Sequence, residues 1–227
     1  MKAFRRILIM AEMHGRDLTR RHAALALLVA LPLSFYLSSG HDGPQAVSAG
    51  GVGMAFSVAG ATLFSILSST QVDQRLVLGG YRPIELLLGR LLFLGPLGLV
   101  IATFFGVLMS LVSHPTRPWV LGLGVGMVAL QSVPFGLAVG AALSRELEGT
   151  LVLIGVVGIQ LATDTTSTIA RFLPFYGPRQ LIESSLRHQG ALGRPLLQTA
   201  VYGVALLLLA RLCMNRRIEV QRHGTIE

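Results

Sequence analysis

The chain has 227 residues, of which 52% are hydrophobic and 13% are charged, with a mean hydropathy of +0.64. Soluble domains carry about 25% charged residues, so this composition excludes that class and is typical of a protein solvated by lipid. The net charge is +8, yet Lys2 is the single lysine, which excludes a nucleotide-binding P-loop because that motif needs a lysine well inside the chain.

Residues 1–22 are predicted to form an interfacial helix, lying in the plane of the membrane. At about 100° per residue, the apolar side chains between residues 4 and 18 fall on one side, and Arg6, Arg16 and Arg20 fall on the other. This pattern suits an apolar face in the acyl boundary and arginines among anionic headgroups. The alternatives are a frayed basic leader and a cleaved signal peptide, although the charged region is unusually long for a signal.

Six apolar stretches are long enough to cross a bilayer, since about 20 mostly apolar residues span about 30 Å of hydrocarbon. They are predicted to be helices, because backbone groups must be paired in lipid and the alternation of a barrel strand is absent. The expected fold class is all-α, a polytopic membrane protein with residues 1–227 in one transmembrane domain. The spans lie near residues 23–39, 48–69, 91–113, 119–143, 149–169 and 196–213.

The arginines predict the orientation, because short loops rich in Lys and Arg stay cytoplasmic. Lys2 and five arginines precede the first span, and four arginines follow the last. We therefore expect a multi-pass protein of the plasma (inner) membrane with both termini cytoplasmic. Basic residues at the membrane margin also give no reason to expect a nucleic-acid partner. The exception to this rule is the segment after span five, which is predicted to lie outside and yet is rich in arginine. Either that segment has a function or span five is misplaced. The segment holds Arg171, Arg179, Arg187 and Arg194.

The loop between spans two and three is predicted to form a short helix, a turn and a helix that re-enters the membrane. Charged residues precede Leu76-Val77-Leu78, a Gly79-Gly80 break follows, and Pro83 suits the first turn of the next helix. This compact knuckle suits a contact with another protein. The alternative is an ordinary connection between helices, which usually has about 2–8 residues.

Span four contains two pairs of small residues, which allow close helix packing. The pairs are Gly122 with Gly126 and Gly136 with Gly140, and their offset keeps them within about 40° of one face. Their partner is either a neighbouring span or another subunit. Gln131 lies between the pairs and either faces a transport path or makes a hydrogen bond between helices.

The segment after span five begins with polar residues and then contains two prolines. Asp164 is either a substrate contact or the polar end of a helix at the headgroups. A short amphipathic helix is predicted to begin at Pro178, with Leu181, Ile182 and Leu186 facing the membrane. The alternative is a plain surface loop.

One stretch of the chain resembles the type-2 ABC exporter permeases. In that family a leucine-rich turn, a small residue or proline, a basic residue, a leucine-rich run and Gly-Lys or Gly-Arg lead from the coupling helix into the third membrane helix. The interfacial helix, the six spans, the cytoplasmic termini and the external prolines extend the resemblance over nearly the full length. The family often has Glu-x-Gly-Thr where this chain has Asp73-Gln74-Arg75. The matching stretch is Leu78-Gly79-Gly80-Tyr81-Arg82-Pro83-Ile84-Glu85-Leu86-Leu87-Leu88-Gly89-Arg90-Leu91-Leu92.

The resemblance implies a permease that pairs with a second permease copy or paralogue and with two separate ATPase subunits. ATP then binds to the partner subunits, and no cofactor is expected on this chain. The coupling helix is expected at residues 72–80, and an external element at 171–195 would cap the outer end of the pathway. The implied coupling residues are Asp73, Gln74, Arg75, Leu76, Leu78 and Arg82, and the candidate pathway or gate residues are Gln131, Asp164, Pro174 and Pro178.

Two further observations reduce the number of functions that the sequence favours. No acidic residue lies at the centre of a predicted span, so no internal proton or sodium site is expected and transport must draw energy from elsewhere. No Gly-x-Ser-x-Gly or His-Glu-x-x-His motif occurs and the histidines lie in loops or at span ends, so the chain is not expected to be an enzyme. The expected substrate is amphipathic or lipid-like. The alternative function is a non-transporting membrane scaffold or an immunity protein.

Overall fold

A computed structural model describes residues 2–20, 22–40, 43–143, 145–164, 167–186 and 192–223 of the chain. The regular structure in these ranges is helical and includes no strand, which confirms the predicted all-α class. The helices are α1 Lys2–Arg20, α2 His22–Ser38, α3 Pro44–Ser68, α4 Thr70–Leu78, α5 Pro83–Ser113, α6 Pro118–Ala142, α7 Glu146–Ala162, α8 Tyr176–Leu186 and α9 Gly193–His223, with a short 3₁₀ helix at Ile169–Phe172.

Four helices in the described ranges are long and apolar enough to cross a membrane, namely α3, α5, α6 and α9. The count rises to five if α1 and α2, which meet at an 82° bend, together form one span. The protein is therefore membrane-embedded. Helices α2 and α7 have 17 residues each, or about 26 Å at about 1.5 Å per residue, which is shorter than the about 30 Å of hydrocarbon.

Prolines set the beginnings of three of the long helices. Pro44, Pro83 and Pro118 are the first residues of α3, α5 and α6, where the missing N–H leaves no helical hydrogen bond unmade. Helix α5 consequently begins at Pro83, eight residues before the predicted start of its span at residue 91. Its 31 residues cover about 46 Å, so α5 extends beyond the hydrocarbon at one end or both.

Helix α7 is shorter than the predicted span at residues 149–169. It ends at Ala162, and Thr163 already has extended backbone angles, with φ −91° and ψ 130°. The polar residues that follow in the sequence explain this end, because short polar side chains hydrogen-bond to nearby backbone and compete with the helix. Thr165 and Thr166 in that run lie outside the described residues, as do Arg187 and His188 after α8.

Helix α6 is the centre of the bundle. It packs against α3, α5, α8 and α9, and every residue from Gln131 to Ala141 is buried. Helix α2 packs on α3, α7 also packs on α3, and α1 lies along α5. The buried apolar side chains of α3, α5 and α6 form most of the core.

The two glycine pairs of α6 contact different neighbours within the chain. A Cβ atom at Gly136 would collide with the Ala59 carbonyl oxygen of α3, and one at Gly140 would lie 3.3 Å from Ile66 Cβ. Gly122 has no atom within 4 Å of its Cβ position, and the Cα of Gly122 lies 3.6 Å from the Cβ position of Gly106 on α5. Gly126 also faces α5, with Leu99 at 3.9 Å. The close approach is therefore α6 against α3, and it involves the second pair.

Candidate coupling surface and re-entrant segment

Local hydrogen bonds before and after helix α4 mark its two ends and separate it from α3 and α5. Before it, the Ser69 hydroxyl donates to the Ser65 carbonyl at 2.6 Å, in the last turn of α3. After it, Gly80 has φ 87°, and the N–H groups of Tyr81 and Gly80 donate to the carbonyls of Leu76 and Val77, each at 3.0 Å. This hydrogen-bond pattern is a Schellman motif, which needs glycine at the left-handed position. The predicted Gly79-Gly80 break is confirmed.

A buried ion pair joins α4 to α5. The Arg90 side chain is 0% exposed, and its Nη2 atom donates to Asp73 Oδ2 at 2.7 Å and Oδ1 at 2.9 Å, and also to the Ser69 hydroxyl. Removing one partner of a buried pair leaves an uncompensated charge, which typically costs about 3–5 kcal/mol. Asp73, predicted to contact a partner protein, is therefore used inside this chain to hold α4 against α5.

Helix α1 braces the turn after α4. Arg6 Nη1 donates to the Gly80 carbonyl at 2.9 Å, and the Arg6 guanidinium lies 5.0 Å from the Tyr81 ring centroid. Arg6 also lies 3.6 Å from Glu85, whose carboxylate accepts from the Arg82 backbone N–H at 2.9 Å. This carboxylate caps the first turn of α5, where negative charge is favourable. The turn, the start of α5 and α1 thus form one connected unit.

The face of α4 that points away from the bundle is mixed apolar and basic. Leu78 is 82% exposed and Val72 is 44% exposed, Arg75 is also exposed on this helix, and Arg82 is exposed at the position before α5. Leu76 is partly buried and packs against the core, and Gln74 is also partly buried. The predicted coupling residues therefore separate into two groups. Arg75, Leu78 and Arg82 face outward, whereas Asp73, Gln74 and Leu76 are turned wholly or partly inward.

At the other end of the bundle, the chain after α7 turns back into the protein. The Gln131 amide nitrogen, near the middle of α6, donates to the Pro174 carbonyl at 3.2 Å. The next ring, Phe175, makes an edge-to-face contact with Phe135, with centroids 5.5 Å apart. The end of α8 returns to the beginning of α6, where the Arg117 N–H donates to the Ser185 carbonyl at 3.1 Å. Residues 174–186 thus run from mid-depth to the end of the bundle, and we call them the re-entrant segment because they turn back among the helices.

The apolar side of α8 faces protein. Leu181 and Ile182 are 0% and 1% exposed, and Gly51 of α3 and Gly124 of α6 leave room for Ile182. The prediction that these two residues face the membrane is wrong. The 3.6-residue period identifies an apolar stripe but does not say whether lipid or protein covers it.

Arg179 connects α8 to the end of α7. Its Nη1 atom donates to the carbonyls of Gln160 and Thr163 at 2.6 and 2.8 Å, and its Nε atom pairs with Glu183 at 3.2 Å. A cation is favourable at a helix C-terminus, where the last carbonyls have no partner within the helix. One of the arginines that contradicted the positive-inside pattern is thus accounted for by a structural role.

The structure separates the predicted pathway residues. Gln131 and Pro174 are joined by their hydrogen bond, and Pro178 is buried in the first turn of α8. Asp164 is exposed beyond the end of α7, whereas Gln131 lies near the middle of α6. The side chain of Gln131 is 2% exposed. The hydrogen-bond interpretation of Gln131 therefore fits the structure, with Pro174 in the connection before α8 as the partner.

Four charged residues of these two sites are not among the predicted site residues: Arg6, Glu85, Arg90 and Arg179. Arg6, Arg90 and Arg179 contact groups that are distant in the sequence, so each resembles an ordinary charge at a span margin. Two signals are available in the sequence: Glu85 is an acidic residue in the first turn after Pro83, and Arg90 is a charge inside a long helix, which needs a partner. Its partner is identified only by the fold.

Comparison of the chain with protein-family models found no match. A comparison with curated protein sequences also found none.

Proposed function

We propose that the chain is the membrane-spanning permease subunit of an ATP-driven ABC exporter, which moves an amphipathic or lipid-like substrate outward. Two separate ATPase subunits supply the energy, and a second permease copy or paralogue completes the complex. Alternating access follows from rigid-body movement of packed helices, which shift between discrete arrangements.

One observation carries the proposal: α4 exposes an apolar and basic face while its inner face is fastened to a long membrane helix. The exposed face includes Arg75 and Leu78, and the fastening is the Asp73–Arg90 pair. A force on α4 therefore acts directly on α5. Leu78, at 82% exposure, lies beside charged groups that suit a water-facing contact with a protein.

The proposed membrane layout has six crossings, with α1 as an interfacial helix and both termini in the cytoplasm. Helix α1 supports its assignment by composition, because its charged residues prevent it from crossing lipid alone. Helices α2 and α7 then cross with help from residues at their ends: α2 meets the interfacial α1 at an 82° bend, and α7 is followed by Thr163, whose carbonyl accepts from Arg179. This layout puts α4 at the cytoplasmic end and α8 at the outer end.

The proposed external gate is the re-entrant segment 174–186. It occupies the outer half of the space between α3, α6 and α9, and it is held by Gln131 and Arg179. Pro174 and Pro178 limit the backbone of this segment, which favours movement as a unit over gradual deformation.

Affinity purification of the chain in detergent tests the proposal. We expect a stoichiometric P-loop ATPase to copurify and the preparation to hydrolyse ATP. The double variant Arg75→Glu, Leu78→Asp is expected to lose at least nine-tenths of the bound ATPase, because both substitutions alter the exposed face. Since both side chains are exposed, the folded chain should be purified in normal yield.

The matched control is Ile169→Asp, which changes an apolar side chain of 65% exposure at the opposite end of the bundle. It is expected to retain the ATPase. If no ATPase copurifies with the unaltered chain, the permease assignment fails and the scaffold or immunity function replaces it. If Ile169→Asp releases the ATPase as completely as the double variant does, α4 is not the contact.

A further inference from the structure

A groove of about 770 Å³ runs along the bundle between α5, α6 and α9, and the first two turns of α1 border one end of it. Its volume is within the usual range for sites that bind small organic molecules, which is about 300–1,000 Å³. Along α9 the lining extends from Leu196 to Leu207, or about 16 Å at about 1.5 Å per residue. Because one leaflet supplies half of the hydrocarbon thickness of about 30 Å, this length matches a lipid chain.

The groove opens toward lipid. Its walls are almost entirely apolar. Leu92 of α5, Leu130 of α6 and Val204 of α9 belong to the lining, with exposed fractions of 44%, 42% and 58%. All three helices are long and apolar enough to cross a membrane. The chain of a membrane lipid is therefore the first molecule to reach this groove, and the polar groups of the lining decide which lipid fits best.

Two polar side chains interrupt the apolar lining, Gln131 and Thr199. The Thr199 hydroxyl donates to the Pro195 carbonyl of its own helix at 2.8 Å. The Gln131 Nε2 atom donates to the Pro174 carbonyl at 3.2 Å. Because a carbonyl oxygen only accepts, this bond fixes Nε2 as the end of the Gln131 amide that meets the re-entrant segment. The Oε1 atom is left for another partner.

The Oε1 atom of Gln131 is an acceptor that a molecule in the groove can reach. It lies 3.5 Å from the position of a Cβ atom at Gly203, which also lines the groove. No described residue donates a hydrogen bond to it. Unlike the unpaired atoms of His14 and Gln160, it is not fully enclosed by protein. An acceptor without a partner in apolar surroundings is costly, so a ligand that donates a hydrogen bond here is favoured.

The end of the groove beside α1 is basic. Helix α9 begins next to the re-entrant segment and runs toward this end, where Leu207 is its last lining residue. Arg211 follows one turn later on the same side of α9, and Arg5 is next to the lining residue Phe4 in α1. Both arginines are exposed, and neither has a hydrogen bond or ion pair with another described residue. No carboxylate in the described part of the chain lines the groove, so an anionic headgroup is favoured at this end.

We propose that this groove binds an anionic lipid that carries a hydroxyl group near the middle of its apolar chain. The headgroup lies near Arg211, the chain lies between α5, α6 and α9, and the hydroxyl donates to Gln131 Oε1. Gly203 and Arg211 are about 12 Å apart along α9, which sets the distance between the hydroxyl and the headgroup. As a binding site the groove stands independently. As the site for an exported substrate it rests on the proposed function, and it specifies the lipid-like substrate as a hydroxylated anionic lipid.

Competition between 10-hydroxystearate and stearate tests the hydroxyl contact. Both molecules have a carboxylate and the same chain length, and only the first has a hydroxyl. The purified full-length chain in dodecyl maltoside is mixed with 11-(dansylamino)undecanoate, a fluorescent fatty acid with a carboxylate and an N–H group. Displacement of this probe is measured for each competitor, with protein-free micelles subtracted.

Gln131→Met keeps the length of the side chain and removes the acceptor. We expect it to bind stearate like the unaltered chain and to lose about fivefold of the preference for 10-hydroxystearate, because one hydrogen bond contributes about that factor. Transfer of each competitor into micelles is the same for every variant, so the change in preference reports the site alone. The control is Gln180→Met, which removes an amide that donates to Tyr176 within the re-entrant segment and does not line the groove.

Two further pairs of variants test the headgroup and the location. Arg211→Gln is expected to weaken binding of both competitors by up to about fivefold, as for an exposed ion pair, whereas Arg194→Gln at the other end of α9 is expected to have no effect. Gly95→Phe fills the groove from a position with no atom within 4 Å of its Cβ and is expected to abolish binding. Gly155→Phe is its control, at an equally open position outside the groove.

Saturable binding that loses its hydroxyl preference in Gln131→Met but not in Gln180→Met supports the proposal. An unchanged preference in Gln131→Met overturns the hydroxyl contact, and unchanged affinity in Arg211→Gln overturns the anionic specificity. Binding to Gly95→Phe as strong as to Gly155→Phe overturns the location, and absence of saturable binding overturns the site. The assay needs no ATPase, so lipid binding without a copurifying ATPase leaves this inference standing while the exporter function fails, and a copurifying ATPase without lipid binding gives the reverse.

Discussion

At the residue scale, the buried Asp73–Arg90 ion pair holds α4 against α5. Arg90 is completely buried, and its Nε and Nη1 atoms have no hydrogen-bond partner in the described structure. Its charge is therefore compensated almost entirely through Nη2, by the Asp73 carboxylate and the Ser69 hydroxyl. A buried cation with few partners tolerates little change in its surroundings.

Removing one member of this pair is expected to destabilise the protein strongly. Asp73→Leu should lower the free energy of unfolding by about 3–5 kcal/mol, because Arg90 would remain buried without a counter-charge. The measurement is the free energy of unfolding in detergent, with circular dichroism as the probe of helix content. Asp73→Leu combined with Arg90→Met should recover most of the loss, since an apolar pair of similar volume often replaces a buried ion pair without cost.

The control for this prediction is Arg16→Ala, which removes an ion pair with Glu12 between two largely exposed side chains. Exposed pairs contribute at most about 1 kcal/mol, so little change is expected. A loss in Asp73→Leu no larger than that in Arg16→Ala would contradict the structural importance of the buried pair.

His14 predicts a pH dependence of stability. It lies on α1, which the proposed layout places at the membrane interface, and burial followed by the Arg90 charge lowers its pKa from 6.5 to about 4. The folded state therefore disfavours the protonated imidazole, whereas the unfolded state binds a proton below about pH 6.5. This contribution is fully present above pH 6.5 and is lost as the pH falls toward 4.

The expected loss is at most about 3 kcal/mol, since one pKa unit corresponds to about 1.4 kcal/mol. The measurement is the free energy of unfolding in detergent at intervals between pH 7 and pH 4. His14→Gln, which has no proton to gain, should show a smaller decrease over the same interval. Identical profiles for the two proteins would show that His14 does not titrate as described.

At the element scale, α6 determines how closely the helices approach one another. Its second glycine pair is in contact with α3, and its first pair faces α5 with open space around Gly122. The two pairs have the same spacing in the sequence and point in a similar direction around the helix axis. Only the second pair is sterically constrained. Close packing of small residues depends on which neighbour the helix axis approaches at each depth.

Substitutions on α6 should have opposite effects at these two sites. Gly136→Ala is expected to destabilise the chain by about 1–3 kcal/mol. The added methyl group would collide with the Ala59 carbonyl oxygen and would lie 2.8 Å from Thr62 Cβ. Gly122→Ala should be neutral or stabilise by up to about 1 kcal/mol, because alanine favours a helix and has open space there. Thermal unfolding in detergent measures both, and equal effects would contradict the packing described.

At the scale of the whole molecule, α4 and the re-entrant segment lie at opposite ends of the bundle. The α4 end also carries α1 and the beginning of α7, and the other end carries the connections that contact α8, such as Arg117 to Ser185. A cavity lined by residues of α1, α2, α3, α5 and α7 lies at the α4 end, whereas residues 174–186 pack between α3, α6 and α9 at the other end.

Cysteine labelling tests the proposed orientation. With Cys213→Ser as background, Arg75→Cys and Thr168→Cys place one thiol at each end of the bundle, both at exposed positions. In right-side-out vesicles, a membrane-impermeant maleimide should label Thr168→Cys at once and Arg75→Cys only after the membrane is permeabilised. Ser185→Cys, at a fully buried position, is the unlabelled control. Labelling of Arg75→Cys from outside would reverse the topology, and labelling of both positions from one side would contradict it.

The sequence by itself determined the all-α class, the membrane environment and the local breaks between helices. These features depend on interactions between near neighbours, or on composition. Pro44, Pro83 and Pro118 begin helices, and Gly80 ends α4, because their backbone restrictions act within a few residues. The apolar stretches are likewise identified by composition alone.

Only the tertiary structure decided which face of each element meets protein and which meets solvent or lipid. Leu181 and Leu78 both belong to short helices with apolar residues, yet one is completely buried and the other is 82% exposed. Asp73 and Arg90 are seventeen residues apart and lie on different helices, so no local pattern pairs them. The interfaces between helices form from residues far apart in sequence, and the side of a helix that each one covers depends on how the whole bundle packs.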